Sequence, residues 1–305
     1  VANFCFSSLF FGSLGDGEIT VTLTGRHLYD FSSHTFTTCG KSGRYGPTLG
    51  DCTSAYSSTS WASNTDYFNI PLWDGMQEWT VPANGLYKIK AWGADAVNRT
   101  GGKGGIIEAT FTLNRGEVIK IICGQRPDPY DSNNGGGAGG TFVVRSPYNN
   151  IGSVLLVAGG GGGGHNYNTV TAQKHGGYYG NGDGGEGTSN ILGGTNGNAG
   201  VKGQGASGAG FLTNGDCIQG SNTVPKSFVN GGVGGTNHGD VYRGGFGGGG
   251  AHGSSHGAGG GGYSGGGGSS DPQYQAGGGG SISFNGTDVT TWTGATNGWV
   301  GEGKV

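Results

Sequence analysis

The stretch Gly244-Gly245-Phe246-Gly247-Gly248-Gly249-Gly250 decides what kind of fold this chain can adopt. It opens a segment, residues 244–280, in which glycine-rich runs alternate with single larger side chains. The other runs cover residues 257–262, 265–268 and 277–280 and, earlier in the chain, 135–140 and 159–164. Such runs usually indicate flexible linkers or low-complexity disorder. Here Phe246, His252 and Tyr263 separate them, not the Ser, Glu and Lys typical of disorder, so we predict an ordered structure.

Hydrogen bonds must hold an ordered glycine run together, because glycine has no side chain to bury. Fixing each residue costs about 1–2 kcal/mol of backbone entropy, whereas each hydrogen bond contributes roughly 0.5–1.5 kcal/mol net. An extended threefold helix of the polyproline II kind points its N–H and C=O groups outward, and glycine lets such helices pack side by side. A six-residue run spans roughly 19 Å in this form. We therefore predict a bundle of polyglycine II helices capped by β-structure.

The composition excludes several classes of protein. The chain of 305 residues contains 76 Gly, only 11% charged residues and a formal charge of −3, so it offers no basic surface for nucleic acid. Hydrophobic residues make up 32%, which confines a conventional core to part of the chain. The longest apolar stretch, residues 4–11, is too short to span a membrane and lacks the features of a signal peptide. Because the chain starts at Val1, we expect a mature product or a fragment.

Five cysteines bear on the cellular compartment. They are not arranged in a C-x-x-C pair, so a zinc ribbon is not expected. Cys39 and Cys52 flank a short Gly/Pro segment and are predicted to close a local disulfide. Cys123 and Cys217 are candidates for a second disulfide across the glycine region, which leaves Cys5 to pair outside this chain.

Two sequons point to the same compartment. Asn98-Arg99-Thr100 and Asn285-Gly286-Thr287 fit the pattern for N-linked glycosylation, although such triplets also arise by chance. Together with the cysteines they favour an oxidising, extracellular or cell-surface setting.

Residues 1–34 form the first predicted unit and contain one clear strand, Glu18-Ile19-Thr20-Val21-Thr22-Leu23-Thr24. Ile19, Val21 and Leu23 face one way and the threonines the other. No hairpin partner follows nearby. The segment is therefore an edge strand, the tail of an upstream domain, or an assembly strand donated to a neighbouring subunit.

Residues 35–158 and 281–305 are predicted to form an all-β sandwich, because short alternating strands are separated by regularly spaced turns. The helix candidate in this part begins near Pro47 and ends near Ser57. The glycine-rich residues 159–280 are then an insertion between strands of the sandwich. The predicted strands cover residues 77–81, 86–92, 105–113, 117–123, 141–145, 154–158, 281–284 and 288–292, with 118–122 and 154–157 as central runs.

Motifs for catalysis and metal binding lack their structural context. Two G-x-S-x-G matches, residues 253–257 and 262–266, have glycine on both sides, whereas a hydrolase elbow needs a strand before and a helix after. His252 and His256 are four residues apart but have no helix-forming residues between them, so we expect them to bond backbone groups and not a metal. We predict no catalytic residues, no metal and no cofactor. Of the tryptophans, Trp61 and Trp73 are the predicted exposed pair.

One stretch resembles a known family. Phe36-Thr37-Thr38-Cys39-Gly40 and Gly75-Met76-Gln77-Glu78-Trp79-Thr80-Val81-Pro82-Ala83 are similar to the glycine-rich extracellular region of anaplastic lymphoma kinase and leukocyte tyrosine kinase. The resemblance covers about residues 35–305 and extends to secreted proteins without a kinase. It implies a tumour-necrosis-factor-like β-sandwich with a bundle of polyglycine helices, and it pairs Cys39 with Cys52.

The chain also departs from these receptors. It has no counterpart of the cysteine pairs inside their glycine region, of the cysteine-rich module that follows it, or of their membrane span and kinase. Our first hypothesis is therefore a non-enzymatic extracellular structural or adhesive protein that self-assembles into a filament or surface layer. The alternative is the ligand-binding ectodomain of a receptor of this type. Under both hypotheses the binding partner is a protein, and this chain itself carries N-linked glycans.

Overall fold

A computed structural model describes most of the chain. The described residues are 27–96, 101–128, 135–164, 174–177, 180–182, 191–217, 223–237, 242–253, 256–270, 275–292, 294 and 300–305. Among these residues the named regular elements are β-strands apart from one short α-helix and two 3-10 turns, which confirms the all-β prediction. These elements are α1 (Leu49–Ala55), β1 (Phe68–Asn69), β2 (Gln77–Thr80), β3 (Gly85–Trp92), β4 (Ile106–Leu113), β5 (Val118–Ile122), β6 (Thr141–Arg145), β7 (Val154–Ala158), β8 (Thr236–Asn237), β9 (Tyr242–Arg243), β10 (Ile282–Ser283) and β11 (Thr287–Trp292).

The helix α1 lies within the predicted stretch but begins after Thr48. The Asp51 N–H donates to the Thr48 hydroxyl at 3.2 Å, and the Thr48 N–H donates to the Asp51 carboxylate at 2.9 Å. This reciprocal pair satisfies two N–H groups that a helix start leaves without partners. The cap therefore fixes the first turn and positions Cys52, which the helix buries.

The larger sheet has six antiparallel strands in the order β1-β2-β5-β6-β7-β10. Its interior strands β5 and β7 are the two continuous apolar runs, as predicted. Such runs are typical of strands that are buried on both faces. Both faces of β5 are buried, since Ile121 belongs to the apolar cluster on one side of the sheet and Ile122 to the cluster on the other side.

The smaller sheet has three antiparallel strands in the order β11-β4-β3. It packs face to face on the larger sheet, and both sheets contribute to the main apolar core. The core members include Ala91, Ile107 and Phe111 from the smaller sheet and Trp79, Ile119 and Val143 from the larger one. Residues 281–305 contribute β10 to one sheet and β11 to the other, so the chain returns to the sandwich after the glycine region.

The second face of the larger sheet is covered by the glycine region. Phe142 of β6 lies 5.3 Å from Phe228 between ring centroids, and Phe228 stacks at 5.2 Å on Phe211. Phe246 and Tyr263, which interrupt the glycine runs, belong to the same buried cluster. These aromatic residues therefore attach the glycine region to the sheet.

The glycine runs contact one another through their backbones. The Gly160 N–H donates to the Gly261 carbonyl at 2.8 Å, and the Gly279 N–H donates to the Gly160 carbonyl at 2.9 Å. The Gly260 N–H donates to the Gly277 carbonyl at 2.9 Å. Runs that are distant in sequence are thus neighbours bonded by amides, as an ordered glycine structure requires. That each run winds as a polyglycine II helix stays a prediction.

Residues 27–36 pack on the sandwich. Tyr29 and Phe31 contact Trp61, with ring centroids 5.7 and 6.2 Å apart. Trp61 is 3% exposed, so the prediction that it is exposed is wrong, because this segment covers it. Trp73 is 37% exposed, as predicted. Tyr29 and Phe31 therefore pack against the core, and the predicted division of the chain into units stays a prediction.

Candidate protein-binding cleft

A cleft of about 540 Å³ opens beside β3, between the two sheets. Its floor is formed by side chains of the larger sheet, namely Trp79, Ile119, Ile121 and Val143. The strand β3 forms one wall, and residues 31–36 form the other. The smaller sheet is three strands narrower than the larger one, and the cleft lies where its next strand would be.

The width of the cleft is set at one end by the last residues of the chain. Trp92 and Lys304 exchange two backbone hydrogen bonds, at 2.9 and 3.2 Å. On the opposite side, Phe36 and Val305 also exchange two, at 2.8 and 3.0 Å. Lys304 and Val305 therefore lie as a single extended chain between β3 and the 31–36 segment, and the cleft lies next to them along β3.

Within the described part of the chain, the edge of β3 that faces the cleft carries backbone groups for which no backbone partner is seen. In an antiparallel pair, N–H and C=O groups of alternate residues point to opposite sides of the strand. The backbone N–H and C=O of Trp92 point towards Lys304. The backbone groups of the alternate residues Leu86, Lys88 and Lys90 therefore point to the same side, which is the side of the cleft. None of these three N–H groups has a backbone acceptor on that side among the residues that the structure describes. The cleft thus borders an open sheet edge.

The two faces of β3 differ in polarity. On the outer face, the Lys88 amine lies 2.8 Å and the Lys90 amine 3.8 Å from the Glu108 carboxylate. Lys90 also lies 4.5 Å above the ring of Trp292. The inner face contributes Tyr87 and Ile89 to the margin of the apolar core. A bound strand would therefore meet apolar groups below and charged groups above.

His34 is a half-buried polar residue of the cleft wall. Its ring makes edge contacts with Phe36, Tyr56 and Trp61 at centroid distances of 4.7, 4.5 and 4.8 Å. Burial in this aromatic cage lowers the pKa of His34 to about 4, because the charged imidazolium loses its hydration. The imidazole is therefore neutral at physiological pH, and this wall of the cleft is uncharged there.

The cleft holds no catalytic pair within the described part of the chain. Ser32 and Ser33 line it beside His34, but the His34 Nε2 has no hydrogen-bond partner there, so no hydroxyl is activated by it. An open strand edge above an apolar floor instead suits the addition of an extended peptide.

Of the predicted cysteine pairs, the structure joins Cys39 and Cys52, whose Cα atoms are 5.0 Å apart. It does not join Cys123 and Cys217, and the second predicted disulfide is corrected. The Cys123 thiol is buried in the sandwich beside the Gln77 amide, at 3.9 Å. Cys217 instead lies in the glycine region, where its carbonyl accepts a hydrogen bond from Lys202.

The other predicted site residues are only partly described. Asn285 is exposed, in a turn with a φ of 58°, so its side chain is accessible. Asn98 and the strand residues Ile19, Val21 and Leu23 lie outside the described residues. The glycosylation of either asparagine and the assembly role of that strand stay predictions.

The two histidines of the glycine region have different surroundings, since the His252 ring lies 5.1 Å from the Tyr242 ring between centroids, whereas His256 lies against backbone. The His256 Nδ1 is 3.2 Å from the Gly253 carbonyl, in line with the expected backbone contact. Within the described part of the chain, no three His, Cys, Asp or Glu side chains converge as a metal site requires. No helix in the same residues is both long and apolar enough to cross a membrane.

Comparison with known proteins gives a partial relationship. No protein-family model matches the chain. A segment of 101 residues is 40% identical to the leukocyte tyrosine kinase receptor of Mus musculus. The match covers 30% of this chain and 11% of the mouse protein, so the chain corresponds to a small part of that relative. The coarser part of the resemblance is thereby supported: a portion of the chain is related to a receptor of this type.

The cleft itself was not predicted from the sequence. Its features depend on which strand lies at the sheet edge and on residues 31–36, which have no strand pattern. One local signal exists, because Lys88 and Lys90 occupy the outward positions of β3, and exposed lysines are typical of edge strands.

Proposed function

We propose that this chain is a non-enzymatic extracellular module that acts by binding protein, and that an extended protein segment adds as a strand to β3 in the cleft. The observation that carries the proposal is the open edge of Leu86, Lys88 and Lys90 above an apolar floor. In this mode of recognition, main-chain hydrogen bonds supply affinity and pockets for alternate side chains supply specificity.

The first form of this function is self-association into a filament or a surface layer. Residues 18–24 have the required pattern, since Ile19, Val21 and Leu23 alternate with threonines. Burial of three such side chains stabilises a complex by about 5–9 kcal/mol before the cost of ordering the segment. The disulfide between Cys39 and Cys52 supports an extracellular location, since such bonds persist in oxidising compartments.

A peptide-binding experiment tests the proposal. The protein without residues 1–26 leaves the cleft and its walls in place and is titrated into a labelled peptide of residues 17–25, with fluorescence anisotropy as the readout. We expect saturable binding. In the variant Lys88→Pro, binding falls at least tenfold, because proline removes an N–H that faces the cleft.

The matched control is Lys88→Ala, which removes the same side chain but keeps the N–H. It is expected to bind like the parent protein. Equal binding by both variants, or no binding by the parent, overturns the proposal that strand addition at β3 is the function of the cleft.

The second candidate function is that of a ligand-binding ectodomain of a receptor tyrosine kinase. The 40% identity with the mouse leukocyte tyrosine kinase receptor favours it. It predicts that the full-length open reading frame encodes a membrane span and an intracellular domain beyond Val305. A reading frame that encodes neither is decisive against this candidate and leaves the first one intact.

A further inference from the structure

We infer that a notch beside Trp73, between the β1–β2 loop and the glycine region, binds a proline-containing, extended segment of a partner protein. The notch is a second contact surface, since it shares no lining residue with the cleft. Four features support the inference: the size of the notch, its fixed aromatic walls, its balanced charge, and the limited apolar area around it.

The notch is a small apolar recess of about 80 Å³. Its walls and floor include the side chains of Trp73, Met76, Tyr148, Phe228 and Val229. Met76 and Phe228 are buried members of the apolar cluster between the larger sheet and the glycine region, whereas Trp73 is partly exposed. A protein cavity that accepts benzene measures about 150 Å³. The notch therefore has room for an aliphatic side chain or a proline ring but not for an aromatic side chain.

Both aromatic walls are held in place by the protein itself. The Trp73 ring lies against the backbone of Gly231, where an added Cβ would be 3.0 Å from the Trp73 Cγ. Tyr148 has a φ of 68°, a left-handed conformation that is unfavourable for a bulky residue. Its hydroxyl donates to the Val118 carbonyl at 3.0 Å, and the Lys120 amine lies 4.4 Å from its ring. Strain that is maintained by surrounding contacts is concentrated at functional sites, and rigid walls reduce the entropy lost on binding.

The charge at the notch is already balanced. Among the lining residues Lys120 carries a charge, and its amine lies 3.1 Å from the Glu78 carboxylate. A carboxylate or an ammonium group in the notch would compete with this ion pair, so a neutral occupant is favoured. Asn149 also lines the notch and is exposed, so its amide can donate to a main-chain carbonyl of the occupant.

Proline fits these properties better than the other aliphatic residues. Its ring is neutral and small enough for the notch. A polyproline II segment has no internal hydrogen bonds, so its carbonyls are free to accept from the Asn149 amide. Such a segment is extended before it binds, and it therefore loses little entropy when it docks against aromatic rings.

The apolar area around the notch suits a short segment and not a second copy of this chain. Leu72 precedes Trp73 and is 63% exposed, and Tyr45, which is 57% exposed, is brought close by the contact of Gly46 with Gly75. An aromatic side chain presents about 150–250 Å² in full, so Tyr45 and Trp73 leave roughly 200 Å² exposed, to which Leu72 adds. Each partner in a stable complex buries about 800 Å². The patch is therefore too small to hold two copies together, whereas a docked segment of a few residues covers it.

A peptide titration tests the inference. The full chain is titrated into a fluorescein-labelled peptide of six prolines flanked by serines, and the control probe has alanines in place of the prolines. Fluorescence anisotropy should show saturable binding of the proline peptide and at least tenfold weaker binding of the alanine peptide. Trp73→Ala should weaken binding of the proline peptide at least tenfold, as expected for an aromatic anchor. Asn149→Ala leaves the walls in place and should weaken it to a smaller extent.

Leu192→Ala is the matched control variant, because Leu192 is exposed and does not line the notch. It should bind the proline peptide like the parent protein. Thermal unfolding of each variant shows whether the fold is kept, and Asn149→Ala decides the test if Trp73→Ala is destabilised. Equal binding of both peptides, no binding by the parent, or unchanged binding by both notch variants overturns the inference. A dimer of the parent that Trp73→Ala dissolves, measured by sedimentation velocity, also overturns it, because a second copy then occupies the notch.

Discussion

The sandwich and the glycine region are held together by different parts of the amino acid. In the sandwich, side chains such as Ile119 and Leu156 are fully buried between sheets. Among the glycine runs, which include residues 135–140, carbonyl oxygens occupy the space where a side chain would begin: a Cβ added at Gly139 would overlap the Phe246 carbonyl oxygen. A side-chain core adapts to changes of shape within limits, whereas a region packed through its backbone has no space for one methyl group.

The two regions share one wall, which makes them interdependent. The larger sheet presents Ile121 to the sandwich core and Ile122 to the glycine region. The backbone also crosses the boundary, since the Gln125 N–H donates to the Phe246 carbonyl at 2.8 Å just beyond the end of β5. We therefore expect the sheet to unfold together with whichever side is damaged.

The largest effect is expected from Gly139→Ala, which tests whether backbone packing holds the glycine region. The new methyl group must displace the Phe246 carbonyl and with it the bond from Gln125. The free energy of unfolding should fall by more than about 4 kcal/mol, in the range reserved for severe packing errors. Guanidinium denaturation measures the loss, and amide exchange locates it in the glycine runs.

Gly50→Ala is the matched control for this substitution. Its Cβ would have only the Thr48 hydroxyl nearby, at 3.9 Å, and the residue lies in α1. Alanine is favoured over glycine in a helix by up to about 1 kcal/mol, so this variant should be as stable as the parent or slightly more so. Equal stability of the two variants contradicts the backbone-packing account.

A smaller loss is expected from Phe142→Ala, which tests the shared wall. Phe142 is 1% exposed and packs against Phe228 of the glycine region. Truncation of a buried phenylalanine costs about 3–5 kcal/mol. Amide exchange should accelerate on both sides of the larger sheet. For comparison, Ile119→Val in the sandwich core should cost about 0.5–1.5 kcal/mol, and exchange confined to one side in Phe142→Ala argues against a shared wall.

These experiments address features that the sequence reveals to very different extents. The strands of the sandwich were predictable, because alternation in Gly85–Trp92 and the apolar run Val118–Ile122 are local signals. The order of the glycine region was predictable from the anchors between its runs. The burial of Trp61 was not predictable, since residues 27–36, which cover it, show no periodic pattern of apolar residues. The cleft depends on the order of strands in the sheets, and long-range pairing is not encoded in any short window.

Two half-buried ionisable groups of the sandwich respond to pH in opposite directions. His34 of the sandwich has a pKa of about 4 because of burial, below its ordinary value of 6.5. The unfolded chain therefore binds a proton between these values while the native protein does not, so stability falls as pH decreases from 6.5 to 4. Allowing for solvent at this half-buried ring, the loss is about 1–2 kcal/mol. Denaturation midpoints of His34→Phe across this range should depend less on pH.

Glu302 should show the opposite sign, at the junction with the glycine region. Burial raises its pKa from 4.5 to about 7, although the Arg126 N–H donates to the carboxylate at 2.6 Å. Between pH 4.5 and 7 the native protein holds a proton that the unfolded chain has released, so stability decreases as pH rises through this range. Glu302→Gln keeps an acceptor for Arg126 but removes the charge. Its advantage over the parent should therefore grow from pH 4.5 to 7 by about 1–2 kcal/mol and then stay constant, whereas an advantage that shrinks over this range would place the carboxylate in a solvated environment.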